Sequence, residues 1–141
     1  MFDWQKPDTW TVLVVDDEPD NLEVVAVYLG FLGATVQTAQ NGHQGLEMLK
    51  TYHPNLILLD LSMPQMDGWE MQSALKTNAE TRDITTLALT AHAMPKDEER
   101  VREVGFHGYL TKPLNLPTLL ADLQNTFLTF QKSQEKVYAA E

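Results

Sequence analysis

The chain contains no cysteine. Disulfide frameworks, thiolate metal sites and cysteine nucleophiles are excluded, and the absence fits a reducing compartment. Basic residues are scarce: 10 Lys and Arg stand against 20 Asp and Glu, giving a formal charge of -10. A surface of that sign repels phosphate backbones, so nucleic acid is not an expected partner. No apolar run reaches the roughly 18 residues of a membrane span. Asp3, Lys6, Pro7 and Asp8 occupy the stretch where a signal peptide would be hydrophobic. The expectation is a cytoplasmic protein without membrane contact. Neither a Gly/Ser/Pro-rich linker nor a repeat divides the 141 residues. One domain is expected over residues 11–130, with an extension at 1–10 and a tail at 131–141.

Three short runs, Thr11 to Asp16, Leu56 to Asp60 and Thr86 to Thr90, are continuously apolar and rich in β-formers. They are too short for helices, and continuous apolarity marks strands covered on both faces, as in a parallel sheet. Weaker strands are expected at Ala34 to Thr38 and His107 to Thr111. Helical spacing is clearest in Leu116, Leu119, Leu120, Leu123, Phe127 and Phe130, with Asn115 as the expected N-cap. A second helix is expected from Pro19 to Leu32, with Leu22, Val25, Leu29 and Leu32 on one stripe and Gly33 just beyond its end. Shorter helices fit Gly45 to Tyr52, Trp69 to Asn78 and Pro95 to Val104. Five strands alternating with five helices through right-handed crossovers define a doubly wound α/β domain.

Ligands of such sheets bind outside the carboxyl ends of the strands. Polar residues gather there: Asp16 and Asp17 after strand one, Asp60 ending strand three, Thr90 ending strand four, and Lys112-Pro113 after strand five. Each alone has an ordinary explanation, such as an acidic pair favouring the next helix or a surface lysine. Together they bring three carboxylates, a hydroxyl and an ammonium to one edge. Crowded carboxylates raise one another's pKa unless a cation is present, so the site binds either protons or a metal. Oxygen-only ligands favour Mg2+, and Mg2+ beside a lone lysine points to phosphoryl chemistry. A carboxylate can itself be the nucleophile, and Asp60 is the central candidate.

Asp16-Asp17, the run Asp60-Leu-Ser-Met63-Pro64-Gln-Met66-Asp67-Gly68, Thr90-Ala91 and Lys112-Pro113 occur in order over about Trp10 to Phe130. In this the chain resembles response-regulator receiver domains. The resemblance implies a flavodoxin-like fold with strand order 2-1-3-4-5. It further implies that Asp60 accepts a phosphoryl group from a sensor histidine kinase or histidine phosphotransfer protein. Mg2+ would be held by Asp16, Asp17, Asp60 and the backbone carbonyl of Ser62. Lys112 would pair with Asp60, the Thr90 hydroxyl would donate to a phosphoryl oxygen, and a cis peptide before Pro113 would aim Lys112 inward. Tyr109 stands at the place of the family's switch aromatic. Its rotation behind Thr90 would remodel the surface of the fourth helix, fifth strand and fifth helix, where a downstream protein or a second copy of the chain would dock.

Ser62 and His92 occupy positions that vary in this family and influence access of hydrolytic water. Asn41-Gly42-His43-Gln44-Gly45 departs from its usual pattern, far from the chemistry. His43, His53, His92 and His107 lack relay or ligand spacing and are expected as ordinary histidines. Trp4 and Trp10 are expected to pack against the domain. A phosphohydrolase of the haloacid-dehalogenase kind would need a second acid where Ser62 stands, and a pseudo-receiver scaffold would have a damaged site. The expectation is a module that catalyses only its own modification, as a stand-alone receiver or one excised from a larger hybrid kinase.

Overall fold

Strand side chains alternate between two faces, and here both faces are covered. The computed structural model describes residues 2–91 and 95–139. Strands β1 (Thr11–Val15), β2 (Thr35–Ala39), β3 (Leu56–Asp60), β4 (Thr85–Thr90) and β5 (Tyr109–Thr111) alternate with helices α1 (Pro19–Phe31), α2 (Gly42–Met48), α3 (Gly68–Thr77), α4 (Pro95–Glu103) and α5 (Leu119–Ala139). All strand pairs are parallel, in the order β2-β1-β3-β4-β5. Val12, Val14, Leu56, Leu58, Leu87 and Leu89 face Leu22, Val25 and Leu29 of α1 and Leu119 and Leu123 of α5. Leu13, Val15, Ile57, Leu59 and Ala88 face Met71 and Leu75 of α3 and Val101 of α4. Two buried layers explain the unbroken apolar runs Val12–Val15, Leu56–Leu59 and Leu87–Leu89.

The order also fixes where a ligand crevice opens. The chain leaves β1 for β2 on one side, then crosses to β3 on the other. Loops after β1 and β3 therefore diverge, and the carboxyl ends of these neighbours border a cleft.

Element boundaries follow local chemistry. Gly33, beyond α1, has φ +105, and its N–H bonds to the Gly30 carbonyl at 3.0 Å. A glycine stands where the left-handed region is needed to end the helix. The second helix starts at Gly42, earlier than its apolar spacing indicates, because the Asn41 side chain accepts from Gln44 N–H at 2.8 Å. Asn115 does not cap α5 with its side chain. A 3-10 turn at Leu116–Thr118 intervenes, with Thr118 N–H bonded to the Asn115 carbonyl at 3.2 Å. Pro117 in this turn has no N–H to give. Beyond Phe130, α5 continues to Ala139. At the other end, β5 is reduced to three residues, although His107 N–H still bonds to the Thr86 carbonyl at 2.8 Å.

The residues before β1 belong to the core. Trp4 and Trp10 are 7% and 1% exposed. Trp4 lies 5.2 Å from the Phe127 ring of α5, and Phe2 packs on both tryptophans. The Trp10 indole N–H donates to the Asp3 carbonyl at 2.8 Å, which satisfies the one polar atom its burial would strand. His107 stacks on Phe127, and its Nδ1 accepts from Thr86 N–H at 3.0 Å. Burial, reinforced by the Lys76 charge, pushes this imidazole down to about 4. It is a structural neutral histidine at neutral pH.

Candidate functional site

Two of the three expected carboxylates are buried and charged groups surround them. Asp16 is 1% exposed and Asp60 2%. Oxygens from Asp16, Asp17 and Asp60 lie within 4.8 Å of one another. Lys112 reaches both buried acids, with Nζ 2.7 Å from Asp16 Oδ2 and 3.1 Å from Asp60 Oδ2. The pairing with Asp60 is the expected one; a shorter contact with Asp16 accompanies it. Each remaining oxygen is aimed by a backbone donor. Glu18 N–H donates to Asp16 Oδ1 at 3.0 Å, and Ser62 N–H donates to Asp60 Oδ1 at 3.1 Å.

The backbone around Asp60 has little freedom. Gly68 N–H bonds to the Leu61 carbonyl at 3.1 Å, and a Cβ at Gly68 would collide with the Asp60 carbonyl oxygen. Asp67 caps α3 by accepting from Glu70 N–H at 2.9 Å. The Asp67-Gly68 pair thus starts α3 directly against the loop carrying Asp60. Thr90, 5% exposed, ends β4 beside β3, and its neighbour in the ladder of β5 is Thr111. Lys112 N–H bonds to the Thr90 carbonyl at 2.7 Å, and the Lys112-Pro113 peptide is cis. Ser62 is exposed; His92 lies outside the described residues.

Burial is the main reason the Asp60 carboxyl is pushed up, to about 7. The Ser62 N–H opposes the shift, the Asp16 charge adds to it, and Lys112 pulls against it. Burial also works against the Lys112 ammonium, but its bonds to Asp16 and Asp60 prevail and raise its pKa. One ammonium cannot neutralise three carboxylates. An all-oxygen donor set with surplus negative charge suits a hard divalent cation of the size of Mg2+.

The sheet thus brings three carboxylates, a hydroxyl and an ammonium together from β1, β3, β4 and β5 at its switch point. Residues 12–124 match the model of the response regulator receiver domain, and the chain belongs to that family. It is a module of two-component signalling, and such domains are signalling proteins rather than metabolic enzymes. Among its relatives is the polar-differentiation response regulator DivK of Brucella ovis, 32% identical over 117 residues, which are 83% of this chain and 95% of the relative. The chemotaxis protein CheY4 of Vibrio cholerae superposes with a TM-score of 0.77 at 32% identity, covering 82% of this chain and 97% of that one. The N-terminal domain of a receiver protein from Methanoculleus marisnigri gives 0.70 at 36% identity, covering 83% and 95%. Receiver domains bind Mg2+ at an acidic pocket, and this chain has a cluster of three carboxylates, Asp16, Asp17 and Asp60.

A feature of the surroundings is not legible from apolar spacing. Helix α1 is apolar on two sides. Leu22, Val25 and Leu29 are buried, while Val24, Val27 and Phe31 are 47%, 66% and 87% exposed. Val24 also lines a cavity of about 150 Å³ shared with Asp16, Asn21, Lys112 and Leu114. The exposed stripe therefore begins beside the acidic site. No helix among the described residues is long and apolar enough to cross a membrane.

Proposed function

We propose that the chain is a response-regulator receiver domain that accepts a phosphoryl group on Asp60 from a histidine kinase or histidine phosphotransfer protein. One observation carries this reading: a buried strand-end carboxylate shares Lys112 with Asp16, and Asp17 lies alongside. Asp16, Asp17, Asp60 and the Ser62 carbonyl are the proposed Mg2+ ligands. Bound there, Mg2+ would supply charge neutralisation for the incoming phosphoryl oxygens. The Asp60 carboxylate attacks phosphorus as the phosphorus–nitrogen bond to the donor histidine breaks, and the imidazole leaves with the electron pair. Lys112 holds Asp60 in place and then faces the transferred oxygens, and the Thr90 hydroxyl donates to one of them. Preorganised donors of this kind stabilise developing charge without reorganisation.

Phosphorylation adds about -1.5 to -2 charge. An acidic chain gains nothing for nucleic-acid binding from that, so the output is protein docking or self-association. Movement of Thr90 toward the phosphoryl group and rotation of Tyr109 would carry the signal to α4, β5 and α5. A population shift between two packings suffices, provided the phosphoryl group interacts better with one of them. The site reading rests on intact positions, unlike a non-phosphorylated scaffold. We assign the chain to the cytoplasm, where its phosphodonors would act.

The test is labelling with Mg2+ and acetyl phosphate. One acid-stable, base-labile phosphate is expected, absent in Asp60→Asn, and chelation should stop its formation. In Asp17→Ala, Mg2+ affinity should fall at least tenfold by titration; unchanged affinity removes Asp17 from the ligand set.

The donor protein is proposed to dock on Val24, Val27 and Phe31, because this apolar stripe runs up to the cavity that contains Asp16 and Lys112. Val27→Asp with Phe31→Asp should slow transfer from a phosphorylated histidine protein by at least tenfold and leave labelling by acetyl phosphate unchanged. Equal slowing with both donors would mean that the change damages the site itself.

A further inference from the structure

The backbone of Tyr109 is tied to α5 through one side chain. Thr126 of α5 accepts from Tyr109 N–H and donates to the Tyr109 carbonyl, both at 3.0 Å. Gly108 permits this approach, since a Cβ there would come within 2.8 Å of the Thr126 methyl. With both backbone polar groups of Tyr109 held by Thr126, the contacts of its ring are what can differ between packings.

Those contacts are made by a cluster that joins α4 to α5. The Tyr109 ring lies 6.1 Å from the Phe130 ring at 54°. The Arg102 guanidinium sits over the same Phe130 ring, 3.8 Å from its centroid. Glu98, one turn earlier on α4, fixes Arg102 by an ion pair at 3.0 Å. Asp97, Glu98 and Arg102 are the charged groups that act on the Tyr109 phenol. Phe130 is buried, at 4% exposed, so it gives the ring a fixed surface to rest on. Arg102 is only partly exposed, which makes its cation–π contact stronger than one in open water.

We infer that Arg102 and Phe130 form a latch that holds Tyr109 in the arrangement seen here and thereby sets how readily the chain switches. Glu98 positions Arg102, Arg102 holds Phe130, and Phe130 supports the Tyr109 ring. None of these residues touches the acidic site; they are positioning residues that act through Tyr109. The inference rests on the receiver reading given above. If the resting packing dominates, the apparent affinity of a phosphate mimic is its intrinsic affinity reduced by the small fraction in the other packing. Weakening a contact made only in the resting packing raises that fraction, and the mimic then binds more tightly.

A control lies on the same helix. Arg100 makes a similar contact over Trp69 of α3, at 4.0 Å, but has no part in the Tyr109 cluster. Beryllofluoride binding in Mg2+ should tighten about threefold to fivefold in Arg102→Ala and in Phe130→Leu, the size expected for loss of one such contact. Arg102→Lys, which keeps the cation, should fall between these and the wild type. Arg100→Ala should bind like the wild type. In parallel, fluorine NMR of fluorotyrosine-labelled chain without the mimic should show the Tyr109 signal moving toward its beryllofluoride-bound position in Arg102→Ala. Comparison with Tyr109→Phe assigns the signal. If Arg102→Ala fails to fold, Phe130→Leu and Arg102→Lys decide. Binding that is lost in Asp60→Asn but identical in Arg102→Ala and Arg100→Ala overturns the latch alone. Binding that survives Asp60→Asn overturns the receiver reading beneath it.

Discussion

Asp60→Asn should melt roughly 3 to 8 °C above the wild type at pH 8 in metal-free buffer, the shift expected for about 1 to 2 kcal/mol in a domain of this size. The substitution that abolishes phosphoryl uptake should thus stabilise the fold. The Asp60 carboxyl titrates near 7 in the folded chain, against 3.8 for an ordinary aspartate, chiefly because it is buried. Between those values the folded chain holds a proton that the unfolded chain releases. The contribution of Asp60 to stability is therefore fully present below about pH 3.8 and lost as pH rises through 7. Above pH 7 the fold carries a desolvated charge beside Asp16. Asn keeps the shape and can still accept from Ser62 N–H, while Lys112 retains its 2.7 Å contact with Asp16. The difference in melting temperature should shrink toward pH 4, and Mg2+ should reduce it at pH 8 by stabilising only the wild type. Calorimetry at pH 4, 6 and 8, with and without Mg2+, measures this directly. Parallel curves for the two proteins would show that Asp60 is not the strained group.

How much of this could be seen in the sequence depended on which physical signal each element carries. Strands β1, β3 and β4 were legible because burial on both faces writes an unbroken apolar run, as in Leu56–Asp60. Strand β5 carries only three residues and no such run. The start of α5 was not legible: Asn115 has the right chemistry for a cap, but its side chain makes no cap bond and a 3-10 turn at Leu116–Thr118 precedes the helix. The acidic cluster was legible since its members end strands whose carboxyl ends must lie together. Its internal pairing was not. The order of the sheet puts β3 and β4 between β1 and β5, so nothing in a linear reading brings Lys112 as close to Asp16 as to Asp60. The exposed stripe of α1 was hidden for a different reason. Spacing marks the buried stripe of Leu22, Val25 and Leu29, but Val24, Val27 and Phe31 make the helix apolar on a second side that only the packing shows to be exposed. The Arg102 and Phe130 contact likewise joins two helices whose relative placement only the tertiary structure supplies.

Lys112→Met should be the most damaging single change in the site, because it leaves Asp16 and Asp60 facing each other with no counter-charge. Removing one partner of a buried ion pair typically costs about 3 to 5 kcal/mol. Lys112 keeps some contact with water, its side chain being 16% exposed, and Asp60 can take up a proton in response, so a loss near the lower end is expected at pH 8. That corresponds to a fall in melting temperature of roughly 10 °C. Two rescues distinguish this electrostatic cause from simple loss of packing. Mg2+ should restore much of the lost stability, because the cation supplies the missing positive charge and its three proposed carboxylate ligands remain. Combining Lys112→Met with Asp60→Asn should cost less than Lys112→Met alone, since only one buried carboxylate is then left uncompensated. The two substitutions act on groups in direct contact, and coupling of about 1 to 3 kcal/mol is expected between them. Phosphoryl uptake from acetyl phosphate should nonetheless fall by at least about a hundredfold in Lys112→Met with Mg2+ present, the usual cost of removing one preorganised charge from a transferring group. Metal titration should meanwhile show affinity equal to or greater than that of the wild type. A variant that loses Mg2+ binding together with stability, and that Asp60→Asn does not rescue, would place Lys112 in the architecture of the pocket rather than in its charge balance.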